Sequence, residues 1–158
     1  MTKPVIAFSG MTHLGLNSAV AAAEKKFDVI CYDPDAGLIK DLQEGRLHLV
    51  EPDLDDLFKQ NQNCLFFTND PEKLKRSDIL YVAPDVPTDD TGSSDLTDIS
   101  NLLQISIAHT GAKTHIVILS QVPPGYTRSR QVDGRVITYQ VETLIFGCAM
   151  ERALYPER

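Results

Sequence analysis

Short apolar runs alternate along this chain with segments that place their apolar residues at helical spacing. The runs that we predict to be strands are Val5–Phe8, Asp28–Tyr32, Cys64–Phe67, Asp78–Ala83, His115–Leu119 and Arg135–Thr138. Strands with nearly continuous apolar runs are typical of parallel sheets that are buried on both faces. The pattern therefore predicts an α/β fold, a Rossmann-like doubly wound and mainly parallel six-stranded sheet with helices on both faces.

The segments between these runs predict the helices. They are Leu14–Lys26, Ala36–Gln43, Glu51–Phe58, Pro71–Lys75, Leu96–His109 and Glu142–Leu154. The chain has 158 residues, 42% of them hydrophobic, which is enough for one ordinary buried core. Since no internal repeat or linker divides it, we expect a single domain over residues 1–158.

The first predicted strand runs into a glycine turn at its carboxyl end. The dinucleotide-binding spacing G-x-G-x-x-G is present except that Thr12 takes the middle glycine position, where its side chain occupies room needed by the cofactor. Backbone N–H groups of such a turn, together with the start of the next helix, bind a pyrophosphate. The candidate cofactor-binding residues here are Gly10, Met11, Thr12, His13, Leu14 and Gly15. The alternative is a turn that uses glycine only for its tight geometry.

Asp33 ends the second predicted strand, about 20 residues after the glycine turn. A carboxylate at this place can accept hydrogen bonds from the adenosine ribose hydroxyls. It also repels a 2′-phosphate, which favours NAD over NADP as the cofactor. The alternative role for Asp33 is to cap the next helix, with Pro34 at the first helical position, and the two roles are compatible.

Two further loops follow predicted strands, Pro84–Asp95 and Ser120–Gly125. Ligands of parallel sheets bind at the carboxyl ends of the strands, so residues at these strand ends are also candidates for cofactor binding. They are Ala83, Pro84, Val86 and Gln121. Glu142, after the sixth strand, is the best candidate for a catalytic carboxylate. Its alternative is a solvated acid in the first turn of the last helix.

The formal charge of −7 and the pI of about 5.0 argue against a nucleic-acid or anionic-membrane partner. The chain has three widely spaced cysteines in apolar surroundings, Cys31, Cys64 and Cys148, which predict buried free thiols in a reducing cytoplasm. Its histidines do not stand at ligand spacing, so we predict no metal site. The N-terminal apolar run is too short for a signal peptide, and we expect a soluble cytoplasmic protein.

Several longer segments add to the glycine turn and Asp33, in a fixed order along the chain. They are Gly45–Leu57, Phe67–Asp70, Tyr81–Thr88, Asp95–Leu96, Ser120–Gly125, Tyr139–Gly147 and Leu154–Arg158. In this order they resemble the motifs of the N-terminal NAD-binding domain of the UDP-glucose/GDP-mannose dehydrogenase family. The resemblance implies an oxidoreductase of polysaccharide biosynthesis that oxidises a nucleotide sugar at C6 to the uronic acid with two NAD. Another Rossmann oxidoreductase, such as a hydroxyacid dehydrogenase, would explain the glycine turn but not the later motifs.

Several positions depart from the family motifs. Val86 replaces a threonine that helps to hold the cofactor. Gln121 replaces a threonine of catalysis and cofactor binding, which makes it the second candidate catalytic residue beside Glu142. Glu142 matches the first glutamate of P-E-F-L-R-E-G, whereas Ile145 and Phe146 replace its arginine and second glutamate. Each of these changes removes a polar group from the same cleft. The alternative function is therefore a degenerate, non-catalytic Rossmann module with weak or no NAD binding.

The family continues beyond the matched region into a dimer-forming helix and a sugar-binding domain that carries the nucleophilic cysteine. The resemblance therefore implies that residues 1–158 are not active alone and meet a nucleotide-sugar substrate only together with such a domain. A homodimer is possible.

Overall fold

The computed structural model describes residues 3–156, and its named strands form one six-stranded parallel sheet. The strands are β1 (Ile6–Ser9), β2 (Val29–Tyr32), β3 (Leu65–Thr68), β4 (Ile79–Val82), β5 (His115–Ile118) and β6 (Val136–Tyr139). Their order in the sheet is β3-β2-β1-β4-β5-β6, with every neighbouring pair parallel. This is the Rossmann order, and it confirms the predicted fold class. The strand order reverses between β1 and β4, which is where such sheets bind ligands.

The helices lie between the strands and cover both faces of the sheet. They are α1 (His13–Glu24), α2 (Ala36–Gln43), α3 (Leu54–Gln60), α4 (Thr97–His109), α5 (Tyr126–Ser129) and α6 (Ala149–Leu154). Two short 3₁₀ helices, Gln62–Cys64 and Pro71–Arg76, precede β3 and β4. Both β1 and β2 are buried along their whole length. The continuous apolar strands predicted a sheet that is covered on both faces, and the structure confirms this prediction.

Each face of the sheet has its own apolar core. On one face α1 packs against α3 and α6, and the core there includes Phe8, Leu16, Val20 and Phe58. On the other face α4 and the 3₁₀ helix before β4 pack against each other, and the core there includes Leu80, Ile99, Leu103 and Ile116. Burial of each large side chain contributes about 1.5–3 kcal/mol, which favours the two-sided arrangement.

Two predicted helices begin later than expected. The last helix begins at Ala149 and not at Glu142, and no helix forms over 140–148. Gly147 has a positive φ of 84°, which is incompatible with a continuous helix through this segment. Glu142 is therefore not a first-turn acid. Similarly, α3 begins at Leu54, because Asp53 adopts the left-handed conformation with φ of 65°. This change frees Glu51 from the helix.

The three cysteines are free thiols in different surroundings. Cys31 is fully buried, and burial raises the pKa of its thiol. Cys64 and Cys148 are only half-buried, so the prediction of burial was wrong for both. Cys148 also precedes α6 and is not inside a helix.

Within residues 3–156, no helix has the length and apolar character needed to cross a bilayer. The same part of the chain contains no cluster of three His, Cys, Asp or Glu side chains suited to a metal ion. The last two residues of the Leu154–Arg158 motif, Glu157 and Arg158, lie outside the described residues.

Candidate functional site

The turn between β1 and α1 requires glycine at two positions. Gly10 has φ of 101°, and a Cβ there would lie 2.8 Å from the backbone nitrogen of Pro84. A Cβ on Gly15 would lie 1.8 Å from the carbonyl oxygen of Gly10. The first turn of α1 therefore packs directly on the backbone that ends β1. The start of α1, with backbone donors that have no partner within the helix, is thereby placed at the switch point between β1 and β4.

Asp33 follows β2 directly and ties that strand end to the glycine turn. Its Oδ2 accepts a hydrogen bond from the backbone N–H of Met11 at 2.8 Å, and its Oδ1 accepts one from Asp35 at 3.0 Å. The side chain that caps α2 is Asp35, which accepts from Gly37 and Leu38. The alternative role of Asp33 as a helix cap was therefore wrong. Each carboxylate oxygen can accept a second hydrogen bond, so Asp33 keeps acceptor capacity for a ligand.

Thr12 and Asp85 join the glycine turn to the loop after β4. The Thr12 hydroxyl oxygen accepts the backbone N–H of Asp85 at 2.7 Å and lies 3.5 Å from the carbonyl oxygen of Ala83. The Asp85 carboxylate accepts the backbone N–H groups of His13 and Leu14, each at 3.1 Å. The first two donors of α1 are thus bound by a side chain of the same molecule.

Glu51 is a buried acid that sequence reasoning assigned only to the first turn of a helix. Its side chain is 2% exposed and lies 2.7 Å from His13 Nε2. It also accepts the backbone N–H groups of Gly147 at 3.0 Å and of Ala149 at 3.4 Å. The His13 ring contacts the ring of Phe146, with centroids 4.0 Å apart. Glu51 therefore fixes the start of α1 to the segment that leads into α6.

The surroundings of Glu51 act on its acidity in opposite directions. Burial raises the pKa of this carboxyl, whereas the N–H groups of Gly147 and Ala149 and the His13 side chain lower it. The donors together outweigh burial, and the pKa lies below its ordinary value. The signal in the sequence was Pro52, because the residue before a proline is disfavoured in the helical conformation.

A cavity of about 260 Å³ lies beside these groups, at the carboxyl ends of β4 and β5. It is lined by His13, Leu14, Pro84, Asp85, Val86, Gln121, Glu142, Leu144 and Phe146. Gln121 Nε2 donates to Glu142 Oε2 at 2.9 Å, so the two candidate catalytic residues meet here. Of the other predicted site residues, Gly10, Met11 and Ala83 are buried beneath the turn, and Asp33 lies on the β2 side. The lining thus combines polar side chains with apolar ones, among them Val86 and Phe146.

The sequence matches one protein family over nearly its whole length. The model of the UDP-glucose/GDP-mannose dehydrogenase family, NAD binding domain, matches residues 5–158. The chain belongs to this family. Its cofactor is NAD, and the glycine turn and the Asp33 carboxylate fit a dinucleotide.

Individual relatives agree with this assignment. The chain is 37% identical to UDP-glucose 6-dehydrogenase TuaD of Bacillus subtilis (strain 168) over 123 residues, which is 76% of this chain and 27% of that protein. It is 31% identical to UDP-glucose 6-dehydrogenase of Rickettsia conorii over 163 residues, 97% of this chain and 38% of that protein. The chain thus spans well under half the length of these relatives and corresponds to their N-terminal domain.

A solved structure shows the same fold. The UDP-glucose dehydrogenase of Pyrobaculum islandicum superposes with a TM-score of 0.87 at 24% identity, covering 99% of this chain and 40% of that one.

The packing of Gly15 on Gly10 predicts that one added methyl group at position 15 lowers the stability of the fold. Gly15→Ala should lower the free energy of unfolding by about 1–3 kcal/mol, because the Cβ overlaps backbone that cannot move aside. Gly111→Ala is the control, since its Cβ would lie 3.7 Å from Thr114 Oγ1 at ordinary contact distance, and a change within about 0.5 kcal/mol is expected. Urea unfolding followed by circular dichroism measures both. Equal midpoints for the two variants would contradict the assigned packing.

The donors around Glu51 predict a stability that depends on pH. Glu51→Gln should lower the free energy of unfolding by about 1–3 kcal/mol at pH 7, since hydrogen bonds to a buried charge are lost. Because the folded-state pKa lies below the ordinary 4.5, the contribution of the carboxylate is complete above that value. It is lost as the pH falls through the folded pKa, so the two proteins should converge in acid.

The control for this pH dependence is Glu44→Gln, which removes an exposed pair with Arg46 and should cost less than about 1 kcal/mol. Urea unfolding at several pH values measures all three proteins. A Glu51→Gln deficit that stays constant from pH 7 to pH 3 would show that the carboxylate charge is not the cause.

Proposed function

We propose that this chain supplies the NAD-binding part of a nucleotide-sugar 6-dehydrogenase that acts on UDP-glucose or a closely related sugar nucleotide. The observation that carries the proposal is the link between the glycine turn and Asp33 through the Met11 N–H. This link holds a pyrophosphate cradle and a ribose acceptor in one rigid unit. The UDP-glucose 6-dehydrogenase relatives at 37% and 31% identity support the substrate class.

In this proposal each end of the site has a separate task. Asp33 accepts hydrogen bonds from the adenosine ribose, with its orientation already fixed by Met11 and Asp35. The backbone from Gly10 to Gly15 binds the pyrophosphate, with Ala83 and Pro84 forming the floor of the crevice. The cavity beside Val86 and Gln121 receives the nicotinamide end. These assignments follow from the positions of the groups at the carboxyl ends of β1, β2, β4 and β5.

The cofactor supplies the hydride acceptor, and the residues of this chain bind and orient it. Oxidation of a primary alcohol to a carboxylate removes two hydrides, so it consumes two NAD and one water. The Gln121 amide holds the Glu142 carboxylate at the cavity, where it could accept a proton or orient the reacting group. The proposed enzyme needs a sugar-binding domain as well, so this chain with NAD and UDP-glucose should produce no NADH.

A cytoplasmic location, a role in polysaccharide biosynthesis and a homodimer belong to the same proposal. The free thiols and the net charge of −7 support a reducing compartment without nucleic-acid or membrane partners. Exposed apolar side chains after β6 support association with another copy or domain; they are Val141, Ile145 and Phe146.

A second candidate function is a non-catalytic module that keeps the fold. The cavity residues Val86 and Phe146 favour it, because they stand where the family motifs have a threonine and a glutamate, so two polar groups are absent from the lining. Calorimetric titration with NAD separates the two functions. No detectable binding at millimolar NAD would overturn cofactor use by this chain.

The role of Asp33 predicts both cofactor affinity and cofactor choice. The native chain should bind NAD at least about tenfold more tightly than NADP, because the buried carboxylate repels the 2′-phosphate. Asp33→Asn should weaken NAD by about tenfold to a hundredfold and narrow this preference, since hydrogen bonds to a charged acceptor are worth about 1.5–3 kcal/mol. Isothermal calorimetry with both dinucleotides measures the effect.

The matched control is Asp133→Asn, which makes the same charge change at an exposed position before β6, on the opposite edge of the sheet. It should leave both affinities unchanged. Equal affinity of the native protein for NAD and NADP would contradict the assignment of Asp33 to the ribose site.

A further inference from the structure

The carboxylate of Asp85 lies at the start of α1, on the donors that a bound pyrophosphate needs. Its two oxygens accept the backbone N–H groups of His13 and Leu14, each at 3.1 Å. These are the first two residues of a helix of 12 residues, where unpaired donors and the helix dipole favour an anion. The chain therefore binds one of its own anions at the position proposed for the cofactor phosphates.

Thr12 sets the position of this carboxylate. Its hydroxyl oxygen accepts the Asp85 backbone N–H at 2.7 Å, across the crevice between β1 and β4. Thr12 stands where the dinucleotide-binding spacing has its middle glycine, and glycine has no hydroxyl to offer. Thr12 and Asp85 therefore act together, since Thr12 holds the backbone of the residue whose carboxylate binds the helix donors.

Two anions cannot share the same donors, so the pyrophosphate and the Asp85 carboxylate exclude each other. If the carboxylate stayed nearby, it would also repel the phosphates, since like charges a few ångströms apart interact unfavourably even in water. Asp85 is exposed to solvent, and its side chain can therefore rotate away without disturbing the core. Displacement is possible, but it costs the hydrogen bonds that the carboxylate makes.

We propose that Asp85 is an internal competitor for the cofactor pyrophosphate, positioned by Thr12, and that NAD binds only when this carboxylate leaves the start of α1. The inference rests on the proposed function, because it requires NAD to lie on the glycine turn. In this inference Asp85 controls cofactor affinity and takes no part in the chemistry.

Calorimetry with NAD tests the competition directly. Asp85→Ala should tighten NAD binding by about tenfold, and Asp85→Asn, which keeps an acceptor but removes the charge, should give an intermediate affinity. Asp133→Ala, a matched loss of an exposed aspartate that precedes the edge strand β6, should change nothing. Adenosine, which has no phosphates, should bind native and Asp85→Ala protein equally in ligand-observed NMR.

A double-variant cycle tests the role of Thr12. Thr12→Val, which keeps the shape of the side chain but has no hydroxyl, should also tighten NAD binding, because the Asp85 backbone loses its anchor. The double variant Thr12→Val with Asp85→Ala should bind NAD no more than about twofold tighter than Asp85→Ala alone. Fully additive gains would overturn the proposed positioning by Thr12.

A measurement without ligand tests the resting arrangement. Amide hydrogen exchange at His13 and Leu14 should be about tenfold faster in Asp85→Ala than in the native chain, because the two N–H groups lose their acceptor. Amides in the second half of α1 should exchange at native rates, which shows that the helix remains folded. Unchanged exchange at His13 and Leu14 would overturn the inference.

The outcomes separate this inference from the proposed function. NAD binding that is equal or weaker in Asp85→Ala, with native binding intact, overturns the competition and leaves the cofactor site in place. Absence of NAD and adenosine binding in the native chain and in every variant overturns the proposed function and the inference with it. If Asp85→Ala fails to fold, Asp85→Asn decides the same question.

Discussion

The arrangement of the site depends on how closely the first turn of α1 approaches the end of β1. A Cβ on Gly15 would lie 1.8 Å from the Gly10 carbonyl oxygen, so only glycine permits this contact. The approach has consequences beyond packing. It brings Thr12 to the loop after β4 and His13 to Glu51, and it aims the first N–H groups of α1 into the crevice. A helix shifted outward by one methyl group would lose these contacts together.

Glu51 is the second anchor of the same helix end, and it explains the path of the chain after β6. A buried carboxylate is costly unless hydrogen-bond donors surround it. Two of the donors here are the backbone N–H groups of Gly147 and Ala149, so the carboxylate stabilises a turn just before α6. The remaining donor is His13. One buried acid thus connects the cofactor crevice with the last helix.

The sequence was sufficient for the fold because apolar runs and helical spacing are local patterns. The Gly10–Gly15 turn and Asp33 could also be found locally, since their spacing is fixed by the strand-turn-helix that they serve. Contacts between distant residues left no such pattern. Asp85 meets His13 across 72 residues, and Glu51 meets Gly147 across 96 residues. The misplaced start of the last helix is related, because Gly147, whose positive φ interrupts the predicted helix, donates its backbone N–H to the distant Glu51.

In the proposed competition, cofactor affinity depends on the difference in binding free energy between two anions, the pyrophosphate and the Asp85 carboxylate, at the same backbone donors of α1. The Asp85 carboxylate is attached to the same chain, so its effective concentration at α1 is high without any ligand present. A dinucleotide must exceed this advantage through contacts that the carboxylate cannot make, chiefly at Asp33. The pyrophosphate donors alone would give little net gain, because binding exchanges one charged acceptor for another. On the proposed assignment, Asp33 therefore contributes more to selectivity than the glycine turn, although the turn is the more conspicuous feature of the sequence.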